Sequence, residues 1–212
     1  MIDPHPTIVI ATTNPGKQRE VRAILAGLPV RWVSLADYGN LPEAVEDADS
    51  FDGNARIKAL HYAGLTGEWA LADDSGLVVD ALDGAPGVHS ARYAGAASDS
   101  AANNAKLIRE LASVPSGDRS ARFVCAVAIA APDRVLATAT GRFDGLIVDR
   151  PRGTGGFGYD PHFWIPDRGI TVAELAPKEK NRISHRGRAL AAIGPEILRM
   201  LPSRRSERTP GG

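Results

Sequence analysis

Asp73 and Asp74 stand side by side directly after the apolar stretch Trp69 to Ala72, and Ser75-Gly76 follows them. Two acids at a strand end can hold a hard cation such as Mg²⁺ or take a proton from water. Adjacent strand residues point to opposite faces, so one acid is expected to meet a ligand and the other to brace the loop. A second acid for a cation would come from the acidic segment between Asp37 and Ser50, where Glu46 and Asp47 are candidates. An Asx-turn without a metal is the plain alternative.

Thr12-Thr13-Asn14-Pro15-Gly16-Lys17 lies between a β-branched run and a helix. Free N–H groups at a helix start attract phosphate, helped by the dipole. Asn14 can add an amide donor and Lys17 a full charge. The segment is not a Walker A loop, because its first glycine is absent and Gln18 replaces the magnesium-binding hydroxyl. Asn54 and Lys58, four apart, share a helix face beside Ala55, Ala59 and Ala63. A lysine there could reach a phosphate.

Gly153 to Gly158 satisfies G-x-G-x-x-G, but it runs into Tyr159-Asp160-Pro161 and not into a helix. It is therefore rejected as a dinucleotide fingerprint. A glycine loop with one aromatic suits another task, with Phe157 stacked on a purine. Ser184 is placed to cap the last helix, and His185-Arg186 opens it. The dipole disfavours an arginine there, so an anionic or strongly polar ligand is expected nearby, with Lys180 acting beside Arg186. Ser184 and His185 are adjacent and no G-x-S-x-G elbow exists, which argues against a Ser-His-Asp hydrolase. In chain order, the segments describe a pocket for a nucleoside triphosphate. Phosphate ligands come first, metal carboxylates next and base-reading groups last.

The elements that must position these groups alternate. Strands are expected at Thr7 to Ala11, Val30 to Leu35, Trp69 to Ala72, Leu77 to Val79 and Leu146 to Val148. A hairpin of Arg122 to Ala130 with Val135 to Thr140 turns at Pro132-Asp133. Helices are expected after Pro15, over Phe51 to Leu65, over Ser98 to Ala112, near Thr171 to Leu175 and from Ser184 onward. Gly194-Pro195 should bend or split the last one. The mixture predicts an α/β fold, a long mixed sheet with helices, in two lobes around a cleft. Residues 1–202 read as one such domain and 203–212 as a disordered tail.

The 212 residues suffice for one large domain, and 25 basic residues balance 25 acidic ones. No global field favours nucleic acid or a membrane surface, so neither is expected as a partner. The N-terminus lacks a basic region followed by an apolar core, so no signal peptide is expected, and no apolar run is long enough to span a membrane. The one cysteine, Cys125, reads as a buried core thiol in a reducing cytoplasm.

Six segments together resemble a known family. They are Thr12-x-Asn14-x-x-Lys17, Phe51-x-x-Asn54-Ala55-x-x-Lys58-Ala59, Ala72 to Leu77, Gly84 to Gly87 with Ser90 to Tyr93, Gly155 to Pro161, and Ser184 to Leu190. Their order and spacing are similar to those of the inosine triphosphate pyrophosphatases, also called dITP/XTP pyrophosphatases, from about residue 7 to residue 201. The resemblance implies two lobes around a nucleotide-binding cleft, a homodimer, and hydrolysis of ITP, dITP and XTP to the monophosphate and pyrophosphate with Mg²⁺. It implies Thr12, Thr13, Asn14, Pro15, Gly16, Lys17, Lys58 and Lys180 as phosphate ligands, and Ser75 as a further substrate contact. Asp74 is implied as general base and metal-associated carboxylate, and Glu46 as the other metal ligand. Phe157, Gly158, Tyr159 and Asp160, with His185 and Arg186, are implied as the base pocket. Glu46-Asp47-Ala48 departs from the family's frequent glutamate, threonine, glycine.

Overall fold

The computed structural model describes residues 5–95 and 99–201. β-Branched and apolar residues in Thr7–Ile10 (β1) pair in parallel with Arg31–Ser34 (β2) on one side and with Trp69–Val79 (β3) on the other. Helix α1 (Pro15–Ile24) connects β1 to β2, and α2 (Phe51–Thr66) leads into β3. Ser120–Ala131 (β4) and Arg134–Ile147 (β5) form a long antiparallel hairpin beside β3. Phe163–Ile165 (β6) and Ile170–Thr171 (β7) extend that edge, giving the order β2-β1-β3-β4-β5-β6-β7. The result is the mixed α/β sheet expected from the sequence. Helices α3 (Ser100–Glu110), α4 (Pro177–Ile183) and α5 (His185–Met200) complete the fold.

The two faces of β3 carry different cores, because strand side chains alternate. Ala70 and Ala72 join Ala126, Ala128 and Ala130 under α2, whose Ala55, Ala59 and Ala63 are fully buried. Small residues on both sides bring that helix close to the sheet. Leu71, Val127 and Ile129 face the opposite way, against Val21 of α1, its C-cap Leu25, and Leu190, Ile193 and Ile197 of α5. Each of these large aliphatic side chains contributes roughly 1.5–3 kcal/mol on full burial. The same alternation sends Asp73 toward α1 and α5, and Asp74 toward α2.

Several local expectations are corrected. The predicted strands at Trp69 to Ala72 and Leu77 to Val79 are one unbroken strand, so the acidic pair lies mid-strand and not at a strand end. Asp73 and Asp74 pair in register with Val127 and Ala126. Asp, Ser and Gly favour turns, but here ionic and hydrogen-bond partners on both faces offset that preference. Leu146 and Ile147 end β5 and form no separate strand. Helix α3 starts at Ser100 and is capped by Asp99, whose carboxylate accepts from Ala101 and Ala102; the predicted start at Ser98 lies outside the described residues. The helix expected near Thr171 is a single 3₁₀ turn, Val172–Glu174, and α4 follows it.

Helix α5 runs through Gly194-Pro195 without a break. Pro195 is on its exposed side, and so is Ala191, whose carbonyl loses the intrahelical donor. Water can satisfy that carbonyl, while Ile193 and Ile197 hold the buried side. The expected tail at 203–212 lies outside the described residues. No helix among the described residues is long and apolar enough to cross a membrane.

Candidate active site

A cleft of about 600 Å³ opens beside the middle of β3. That is within the usual range for small-molecule pockets. Thr12, Thr13, Asn14, Lys17, Glu46, Lys58, Asp74, Ser75, Phe157, Gly158, Tyr159, Asp160, Lys180, His185 and Arg186 all line it. Pro15 and Gly16 sit just behind, in the first turn of α1. Asp73 is not in the lining, because its carboxylate is covered by Lys17, Ser75 and Arg186, which are.

At the start of α1, Asn14 is the N-cap. Its Oδ1 accepts from Gly16 at 2.8 Å and Lys17 at 3.1 Å. The backbone N–H groups of Gly16 and Lys17 are therefore already satisfied, which corrects the expectation that they are free for phosphate. What this corner offers is the Asn14 amide, the Lys17 ammonium and the threonine hydroxyls. Lys17 Nζ rests 3.0 Å from Asp73.

Asp74 is 8% exposed, and its Oδ2 accepts from the Asn54 amide at 3.1 Å. Asn54 in turn accepts from Ala48, tying α2 to the acidic loop. Burial raises the Asp74 pKa, against the opposing pull of Lys58, Lys17 and the Asn54 hydrogen bond. Lys58 Nζ lies 2.7 Å from Glu46 and 3.1 Å from the Asp73 carbonyl. Burial works against its charge, but Asp73, Glu46 and Asp74 outweigh that and raise its pKa, so it stays an ammonium.

Asp73 is the hub on the other face. Its Oδ2 accepts from Arg186 at 3.1 Å and from the Ser75 hydroxyl at 3.2 Å. Burial would raise its pKa, but Lys17, Arg186 and Lys58 hold it far below the carboxylate range. Arg186 is 1% exposed and also binds Glu20 at 2.6 Å. The sequence points to an anionic ligand at this arginine, but the anions that offset its place in the first helical turn are the protein's own Asp73 and Glu20. Lys180, in α4, bridges Glu20 at 3.1 Å and Asp160 at 2.7 Å. Glu20 was not singled out from the sequence. Its signal is modest, being three residues from Lys17 and so on the same face of α1.

The glycine loop hangs over this network. Lys180 lies 4.4 Å from the centre of the Phe157 ring. Asp160 Oδ2 accepts from the Phe157 N–H at 2.8 Å. A Cβ on Gly156 would sit 2.0 Å from that same oxygen, and φ there is +73°, so only glycine fits. Tyr159 donates its hydroxyl to the Ser90 carbonyl at 2.8 Å.

His185 stacks on Phe123, with ring centres 4.8 Å apart and planes at 18°. Its Nδ1 is buried and has no protein partner among the described residues. Burial first, then Arg186 and Lys180, push its pKa well below 6.5. The folded state therefore resists protonation where the unfolded chain accepts it. His185 makes stability fall as pH drops below about 6.5, with a slope of up to about 1.4 kcal/mol per pH unit. Replacing His185 with Gln should flatten that part of the stability curve in urea titrations from pH 7.5 to 5.5. An identical slope in the variant would show that the imidazole is not held neutral.

Fold and cleft together define an α/β protein that can hold a small anionic ligand between lysines, an isolated carboxylate and a stacking loop. The chain belongs to the Ham1 family, whose pattern it matches over residues 8–195. It is 54% identical to a dITP/XTP pyrophosphatase of Geobacter sulfurreducens, over 88% of this chain and 94% of that one. It is 53% identical to a protein of the same name from Geobacillus kaustophilus, over 88% and 91%. A solved structure of a HAM1 protein from Coxiella burnetii superposes with a TM-score of 0.83 at 40% identity, covering 92% of this chain and 99% of that one.

Proposed function

We propose that this chain hydrolyses non-canonical purine nucleoside triphosphates, ITP, dITP and XTP, to the monophosphate and pyrophosphate, and so clears them from the nucleotide pool. The observation that carries the reading is Asp74. It is a buried carboxylate in the wall of a cleft with lysines beside it and a stacking aromatic farther along. The names of the similar proteins, dITP/XTP pyrophosphatases, support dITP and XTP among these substrates.

In this reading the triphosphate lies along Thr12 to Lys17 and Lys58, with the base under Phe157. Water attacks the α-phosphorus, Asp74 takes its proton, and pyrophosphate leaves while the lysines offset the developing charge. Glu46 and Asp74 suit a hard cation. They are oxygen donors, and the negative charge of Glu46 helps raise the Asp74 pKa. Among the described residues no group of three or more His, Cys, Asp or Glu could hold a metal. That agrees with Mg²⁺, which commonly takes one or two carboxylates and completes its shell with water and substrate phosphate. Bound there, Mg²⁺ would neutralise phosphate charge and polarise the attacking water. The same reading takes the chain to act as a cytoplasmic homodimer, supported by the family resemblance.

The test is pyrophosphate release from ITP, XTP, GTP and ATP with Mg²⁺. ITP and XTP should be cleaved fastest. Orthophosphate as the product, or equal rates on ATP, would overturn the reading. Lys58→Ala should weaken ITP and GTP turnover by the same factor, since phosphates carry no base identity. A strong change in the ITP-to-GTP ratio would move that lysine to the base.

A further inference from the structure

The loop that faces the base is also held from behind. Asn104, on α3, donates its side-chain amide to the Gly158 carbonyl at 3.1 Å. A carbonyl can only accept, so this bond fixes the orientation of the amide. It leaves the Asn104 Oδ1 buried without a partner among the described residues. Asn104 does not line the cleft; it lines a separate shallow groove with Pro151 and Pro161. The Gly158 carbonyl is therefore drawn away from the cleft toward α3.

A trans peptide sets its N–H opposite its C=O, and the Ala85-Pro86 bond is the only cis one among the described residues. The N–H that belongs to the captured carbonyl is that of Tyr159. Tyr159 lines the cleft, is 6% exposed, and its N–H makes no hydrogen bond among the described residues. An N–H that the protein leaves unpaired at the cleft wall is available to an acceptor on a ligand.

We infer that the Tyr159 N–H faces the 2-position of the bound purine, and that Asn104 is the positioning residue that turns it there. This rests on the proposed base site under Phe157. The chemistry matches the substrates. Xanthine carries an oxygen at position 2 and accepts the N–H. Hypoxanthine carries only hydrogen there, so it leaves the N–H unpaired but brings no second unpaired donor. Guanine carries an amino group, so donor meets donor and one stays unpaired. A steric block could not separate guanine from xanthine, whereas a fixed donor does.

Gly158 makes the device sensitive to Asn104. Its φ is +63°, and with no side chain at this position the Asn104 bond is what holds the Gly158–Tyr159 peptide in one tilt. Without that bond the N–H loses its aim, so it no longer pairs with xanthine's oxygen or opposes guanine's amino group.

The test compares kcat/KM for XTP, ITP and GTP in the wild-type chain and in Asn104→Asp, which keeps the shape but repels the carbonyl. XTP turnover should fall and GTP turnover rise, lowering the XTP-to-GTP ratio by about tenfold or more, with ITP little changed. Asn104→Ala should shift the ratio the same way by less, and it serves if the aspartate variant does not fold. Mere loosening of the loop would move all three substrates together, and an unchanged ratio in both variants overturns the inference. A wild-type chain that fails on both XTP and ITP overturns the purine site itself, and the inference with it.

Discussion

Asp74→Asn lowers turnover on ITP by roughly 10²–10⁴, the usual range for loss of a general base, without lowering the thermal midpoint. Two observations separate the effects. The Asp74 carboxylate lines the cleft beside Lys58, so its charge and basicity are placed to act on a substrate. Burial raises its pKa, so the folded chain bears a cost for keeping it ionised. An asparagine removes that cost and still accepts from Asn54 through its own oxygen. What it loses is the short contact from the Ser75 N–H, at 3.0 Å. Steady-state rates and a melting curve on the same preparation decide the matter. Near-normal turnover rejects the assignment. Activity and midpoint falling together would make Asp74 a structural residue.

Much of this site was legible before any fold was known, because its chemistry is concentrated in short runs. The period of a strand was enough to expect the two carboxylates on opposite faces, and only Asp74 lines the cleft. Which of the two does so depends on which face α2 covers. The alanines at 70 and 72, in phase with Asp74, and at 55, 59 and 63 on α2 carry that information. Other parts were hidden for physical reasons. Helix α4 reads Pro-Lys-Glu-Lys-Asn-Arg-Ile, with no apolar period to reveal it, although it brings Lys180 into the cleft. Asp-Asp-Ser-Gly composes like a turn, and only the partners on both faces keep it in a strand. The cations were visible as charges, but not their neutralisation by Glu20, Asp73 and Asp160, which are 113 or more residues apart from Arg186 or Lys180 in several pairings. Asn104 gave no sign at all, since one hydrogen bond to a backbone carbonyl leaves no pattern.

Asp73→Asn should act on stability first, with a loss of about 3–5 kcal/mol in urea unfolding at pH 7, the range for breaking a buried ion pair by removing one partner. The reason is what remains. Arg186 is 1% exposed and keeps only Glu20, while Lys17 keeps no carboxylate at ion-pair distance among the described residues. An amide oxygen can still accept hydrogen bonds but carries no charge to balance the two cations. The pH dependence has a definite sign. Burial opposes the Asp73 charge, yet Lys17, Arg186 and Lys58 overcome it and depress the folded pKa. The contribution of Asp73 is thus complete above its unfolded pKa of about 3.9. It fades as pH falls through the folded value, so the gap between wild type and variant should narrow in acid. A second substitution tests the cause. Adding Arg186→Met to Asp73→Asn removes one of the stranded cations, and stability should partly return, with a coupling of about 0.5–3 kcal/mol. If the two losses simply add, Asp73 and Arg186 are not coupled, and the hub assigned to Asp73 is not what holds α5 against β3.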